Sequence, residues 1–142
     1  MRLDLWGIKL ATLALAIGGC GGVQGRTGVA TMTIYYFPLG AETLTPITST
    51  NIQERGRRCE IHSTEDIGKI KKVLRGATKP ASQKFSDRSV RVKLLEPSSV
   101  GDGLSAVVEN EGEVRFSNGV EGAISRKGLE TMKKIIEAQC GQ

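Results

Sequence analysis

Alternating apolar and polar positions predict the β-strands of this chain. The first strand is predicted between residues 30 and 36, and its inward-facing residues are Ala30, Met32, Ile34 and Tyr36. A period of two is typical of a strand with one buried face. Pro38 ends the pattern, because proline has no N–H group to donate to a sheet. The Thr-rich stretch from Glu42 to Ile52 is broken by a proline and is interpreted as an edge strand followed by a loop.

The same alternation predicts a run of strands in the second half of the chain. Val90, Val92 and Leu94 alternate with Arg91 and Lys93, so we expect one buried and one solvated face. Two further strands, 104–109 and 113–116, flank an Asn-Glu-Gly turn and form a predicted hairpin. An Asn-Gly turn then precedes a short strand at 120–124.

Two amphipathic helices are predicted from a helical spacing of apolar residues. Ser63 can cap the first helix, whose apolar face is Ile67, Ile70, Val73 and Leu74. Ser125 starts the second, whose apolar face is Leu129, Met132, Ile136 and Cys140. Such stripes are typical of helices that cover a sheet.

Together these elements predict an α+β fold. We expect a small antiparallel sheet of four to five strands with two helices packed on one face. The length of 142 residues suits one domain, and we place the folded domain at 28–142. Aromatic residues make up only 4 % of the chain, so the core must rest on aliphatic side chains.

The N-terminus has the layout of a secretory signal peptide. Arg2 and Lys9 precede an apolar run from Leu10 to Ile17, and small residues follow it. A membrane-spanning helix needs about 20 apolar residues, so this run is too short for one.

The residues Ile17-Gly18-Gly19-Cys20 end that run. They resemble the lipobox of bacterial lipoproteins, which has an aliphatic residue, two small residues and a cysteine. The resemblance implies cleavage before Cys20, a diacylglycerol thioether on its sulfur and acylation of the new amino group. The implied organisation is a signal peptide at 1–19 and a lipidated N-terminus and tether at 20–27. Ordinary signal cleavage near Ala16, leaving a soluble periplasmic protein, is the alternative. Gly21 follows where Asp would signal inner-membrane retention, so the resemblance implies the outer membrane, facing the periplasm.

The other two cysteines, Cys59 and Cys140, have three interpretations. A disulfide is favoured in an oxidising compartment, and a loop of about 80 residues would gain roughly 4 kcal/mol in the chain-entropy model. Free buried thiols are the second interpretation. A metal site that includes His62 is the third, although it offers three ligands where structural zinc normally has four.

No catalytic constellation stands out in the sequence. His62 is the only histidine, and it lies beside a helix start. Glu109, Glu111 and Glu113 surround the predicted hairpin turn, where we expect them to be open to water. No nucleotide-binding glycine motif, metal site or cofactor site is predicted.

The densest basic cluster is Arg55, Arg57 and Arg58, in a chain of net charge +5. It is a candidate contact for an anionic partner, either an envelope protein or an anionic envelope polymer. A solubilising surface is the simpler interpretation. Nucleic acid is disfavoured by the export signal, and the sequence does not determine the oligomeric state.

These observations favour a non-enzymatic cell-envelope lipoprotein, a small binding or interaction domain held at the membrane by lipid on Cys20. A periplasmic inhibitor or immunity protein against a toxin or lytic enzyme is the alternative. A hydrolase with an unrecognised site is the third hypothesis.

Overall fold

The computed structural model describes residues 30–77, 84–97 and 103–141. The predicted signal peptide, Cys20 and the tether lie outside these ranges. The described elements, in chain order, are β1 (Met32–Tyr36), α1 (Ile52–Arg55), β2 (Arg57–Ile61), α2 (Thr64–Arg75), β3 (Val90–Leu95), β4 (Ser105–Glu109), β5 (Glu113–Phe116), β6 (Glu121–Ala123) and α3 (Arg126–Cys140).

All six strands of the described residues form one sheet in the order β2-β1-β3-β4-β5-β6. Every neighbouring pair is antiparallel. The α+β class is therefore confirmed, whereas the expected four to five strands and two helices were too few. The additional elements are α1 and β2, and β2 forms one edge of the sheet.

The main core lies between the sheet and the two long helices, α2 and α3. Strand β1 contributes Met32, Ile34 and Tyr36, as its alternation predicts. Helix α2 contributes Ile67, Ile70 and Leu74, and helix α3 contributes Met132, Ile135 and Ile136. The helical stripes read from the sequence are therefore the faces that pack on the sheet.

Side-chain caps fix the start of both long helices. The Ser63 hydroxyl accepts a hydrogen bond from the Asp66 N–H at 3.2 Å. The Ser125 hydroxyl accepts one from the Gly128 N–H at 3.1 Å. Each cap satisfies an N–H group that has no partner inside its helix, and both confirm the predicted helix starts.

A second, smaller apolar cluster covers the opposite face of the sheet. It consists of Ile47, Ile52, Phe85 and Val90, with Tyr35, Phe37 and Val107 packed against it. The predicted edge strand within 42–52 was wrong, since only an isolated bridge joins Ile47 to Ser89 there. The short helix α1 follows instead and places Ile52 in this cluster, so the helices do not all lie on one face.

A register shift in β3 separates Val90 from Val92. It puts Val90 in the second cluster while Val92 and Leu94 face the long helices. Arg91, expected on a solvated face, is only 6 % exposed. Its guanidinium donates to the carbonyls of Val90 and Ala41, and burial lowers its pKa. A simple alternation does not predict the extra residue of a bulge, and it therefore did not predict the burial of Arg91.

The C-terminal meander confirms the predicted turns. Gly112 lies between β4 and β5 with a φ of 99°, and Gly119 lies between β5 and β6 with a φ of 82°. Glycine suits these positions because positive φ angles strain residues that carry a Cβ atom.

Candidate ligand-binding site

The structure separates the three arginines of the predicted basic cluster. Arg55 ends α1, whereas Arg57 and Arg58 open the edge strand β2. Successive side chains of a strand point to opposite faces. Because Cys59 and Ile61 contact the main core, Arg57 lies on the helix-covered face and Arg58 lies on the other.

Their polar contacts differ as well. An Nη atom of Arg58 is 2.6 Å from a carboxylate oxygen of Glu60, and Arg55 donates to the Pro46 carbonyl at 3.4 Å. No acidic side chain among the described residues lies within 4.0 Å of the Arg57 guanidinium. Of the three, Arg57 therefore has the guanidinium that remains available to an anion.

Arg57 lines a pocket of about 180 Å³, which we call the Arg57 pocket. Strand β1 and the residues after it supply Tyr36, Phe37, Pro38 and Leu39. Strand β3 supplies Val92, and helix α3 supplies Lys133, Ile136 and Glu137. Gly141, which follows α3, also lines the pocket. The pocket therefore combines apolar walls with a few charged groups, which is typical of a ligand site.

The charged groups of the Arg57 pocket sum to a single positive charge. Lys133 and Glu137 lie one turn apart on α3, with Nζ and Oε1 separated by 3.8 Å. Their charges offset each other, so Arg57 supplies the excess.

A hydrogen bond and a disulfide join the elements that line the Arg57 pocket. The Tyr36 hydroxyl donates to the Cys140 carbonyl at 2.8 Å. A disulfide joins Cys59 to Cys140, with the two Cα atoms 5.6 Å apart. The disulfide interpretation of these cysteines is confirmed, and the bond ties β2 to the last turn of α3.

A larger cavity of about 410 Å³ lies at the C-terminal end of α2. Its lining includes Lys71 and Glu96, which form an ion pair at 2.5 Å. Arg75 and Glu121 also line this cavity, so its four charged groups sum to zero. Because no net positive charge favours an anion there, the cavity is a weaker candidate than the Arg57 pocket.

His62 lies apart from both cavities. Its side chain is 61 % exposed, and its Nε2 atom is 4.0 Å from Glu60. The metal interpretation is wrong for Cys59 and Cys140, because cysteines joined in a disulfide have no thiolate for a metal. Within the ranges that the structure describes, no three His, Cys, Asp or Glu residues group as metal ligands.

Glu109 and Glu113, expected in water, are only 2 % and 9 % exposed. Glu109 accepts hydrogen bonds from the Ser86 hydroxyl at 2.6 Å and the Ser86 N–H at 2.9 Å. Backbone N–H groups of Arg88 and Ser89 add longer bonds. Burial alone would raise the pKa of Glu109, but these donors more than compensate, so its pKa lies below the ordinary value.

The sequence pointed to Arg57 but not to the pocket around it. Lys133 and Glu137 lie on the polar side of a helix and carried no separate signal. Strand β2 was not predicted from the sequence. Had it been, alternation from Cys59 and Ile61 would have placed Arg57 on the helix-covered face.

No protein-family model, no curated protein and no solved structure matches this chain. None of the described helices combines the length and apolar character needed to cross a bilayer.

Proposed function

We propose that this chain is a non-enzymatic cell-envelope lipoprotein. Its folded domain is a binding module, and lipid on Cys20 holds it at the outer membrane, facing the periplasm. The observation that carries the proposal is the disulfide between Cys59 and Cys140. Disulfides persist in oxidising compartments outside the cytosol, so the bond favours export.

The cysteine inventory adds support. The chain has three cysteines, and the disulfide accounts for two of them. Cys20 is the one left over, and it stands where the lipobox resemblance implies acylation. Stable anchoring takes more than one acyl chain, which the implied diacylglycerol and N-acyl groups supply.

The chemistry of the described polar residues favours binding over catalysis. The buried carboxylate of Glu109 is occupied by hydrogen-bond donors from residues 86, 88 and 89. His62 is exposed, and Thr31 and Glu60 are its polar contacts. By contrast, the Arg57 pocket offers a cation that has no acidic partner among the described residues, beside apolar walls. This arrangement is suited to holding an anionic partner.

The test is the intact mass of the mature protein isolated from its host, with and without reductant and a thiol-blocking label. We expect a chain that begins at Cys20 and carries acyl mass, with two thiols labelled only after reduction. Cys20→Ser should abolish the acyl mass, whereas Cys59→Ser should keep it and serves as the matched control. A mature chain without lipid would contradict the anchor, and free labelling of Cys59 and Cys140 without reductant would contradict the oxidising compartment.

A further inference from the structure

We propose that the Arg57 pocket binds a small monocarboxylate, a ligand with one carboxylate at the end of one apolar group. This inference rests on the proposed function as a binding module and names the ligand class of its site. It does not depend on the lipid anchor.

The walls of the Arg57 pocket favour an apolar group. Tyr36, Val92 and Ile136 are buried core residues whose edges reach the pocket. Leu39 is half-buried and lines the same space. A hydrophobic group that enters removes apolar surface from water on both partners, which is the main source of affinity in such sites.

The volume limits the size of the group. Sites for drug-sized ligands span about 300–1,000 Å³, whereas this pocket has about 180 Å³. It therefore suits a single ring or a short branched chain rather than a long acyl chain or a sugar.

The charges select a monoanion. Within the described ranges the guanidinium of Arg57 has no acidic partner, and its planar fork matches the two oxygens of a carboxylate. Glu137 lines the same pocket and is only loosely paired with Lys133, at 3.8 Å. Its negative charge opposes a multiply charged group such as phosphate, so one carboxylate is the better match.

The experiment is an NMR titration of the ¹⁵N-labelled mature chain that carries Cys20→Ser and retains its disulfide. The probes are 4-phenylbutyrate, its neutral amide and 4-phenylbutylamine, which share one apolar group and differ in the polar end. We expect the acid to shift backbone resonances at residues 36–39 and 133–141. The amide and the amine should bind at least about tenfold more weakly, because they lose the charge-assisted hydrogen bonds to Arg57.

Arg57→Gln should weaken binding of the acid by at least about tenfold. Arg58→Gln is the matched control, since it removes the neighbouring charge from the opposite face of the same strand, and it should change the affinity by less than about twofold. A well-dispersed amide spectrum checks that each variant is folded. The acid–amide comparison on the chain with Arg57 intact needs no pocket variant.

Equal binding of the acid and the amide, unchanged affinity in Arg57→Gln, or shifts confined to the cavity at the end of α2 would overturn the proposal. Absence of binding at about 10 mM acid would also overturn it, because that affinity is too weak for a specific site. These outcomes are separate from those of the mass measurement, since the titrated protein carries no lipid whatever the state of Cys20 in the host.

Discussion

At the scale of single residues, Glu109 organises a loop that covers the second apolar cluster. Its carboxylate accepts hydrogen bonds from residues 86, 88 and 89. Phe85 precedes these residues and lies in the cluster with Ile47 and Val90. Through these bonds the carboxylate holds Phe85 against the sheet.

Glu109→Gln should lower the free energy of unfolding by about 2 kcal/mol, because an amide loses the charge and turns N–H donors toward N–H donors. Glu111→Gln, an exposed position on the same hairpin, should change it by less than about 0.5 kcal/mol. Urea unfolding followed by circular dichroism measures both. Similar losses in the two variants would show that the bonds to residues 86–89 contribute little.

The same carboxylate predicts a pH dependence. Its folded-state pKa is lowered from the ordinary value of 4.5, so the folded state favours the charged form. The stabilisation is therefore complete above the unfolded-state pKa and is lost as the pH falls through the lower folded-state value. The stability gap between the original chain and Glu109→Gln should be widest near neutral pH and shrink below about pH 4. A gap that does not change with pH would contradict this assignment.

The sequence could not reveal the burial of Glu109. Hairpin turns are usually solvated, and the turn itself was predicted correctly. The donors that surround this carboxylate come from residues 86, 88 and 89, twenty or more positions earlier in the chain. Burial that depends on such distant partners leaves no local pattern to read.

At the scale of the elements, α2 and α3 meet at Gly128. A Cβ atom built at Gly128 would lie 3.0 Å from both Val73 Cγ1 and Ile124 Cγ2. Gly68, in the middle of α2, has open space around the same position. Steric contact with neighbouring side chains therefore restricts the residue at position 128, whereas space does not restrict the residue at position 68.

Gly128→Ala should destabilise the protein by about 1–2 kcal/mol, because the stiff branched side chains of Val73 and Ile124 have to give way. Gly68→Ala should stabilise it by about 0.5–1 kcal/mol through helix propensity alone. Thermal and urea unfolding of the two variants give the signs. Stabilisation by Gly128→Ala would show that the contact between the helices is looser than the structure has it.

Elements with strong local signals were predicted, and elements without them were not. The long helices have serine caps and regular apolar stripes, and the meander from β4 to β6 has glycine turns. Strand β2 consists of Arg57, Arg58, Cys59, Glu60 and Ile61, and only the last of these is buried. A short charged strand at a sheet edge resembles a loop in its sequence, which is why the Arg57 pocket was not foreseen.

At the scale of the whole molecule, the disulfide connects the edge of the sheet to the C-terminal helix. It closes a loop between residues separated by 81 positions. Closing a loop of that length lowers the conformational entropy of the unfolded chain. In the chain-entropy model the bond therefore stabilises the fold mainly by destabilising the unfolded state.

Replacing both cysteines, Cys59→Ala with Cys140→Ala, should lower the free energy of unfolding by about 4 kcal/mol. Reductant should destabilise the original chain by a similar amount and leave the double variant unchanged. Urea unfolding in both conditions makes the comparison. If reductant has no effect on the original chain, the bond is absent in solution.

The positions of the two cysteines also determine when, during synthesis of the chain, the bond can form. A chain emerging from its N-terminus presents Cys59 long before Cys140, which is the last residue of α3. During that interval Cys59 is a thiol without its partner. Strand β1 likewise lacks its sheet neighbour β3, which is synthesised later. The bond can close only after α3 has been synthesised, so a closed bond marks a chain that extends at least to residue 140. A chain cut short before that residue keeps Cys59 without this partner at the edge of its sheet.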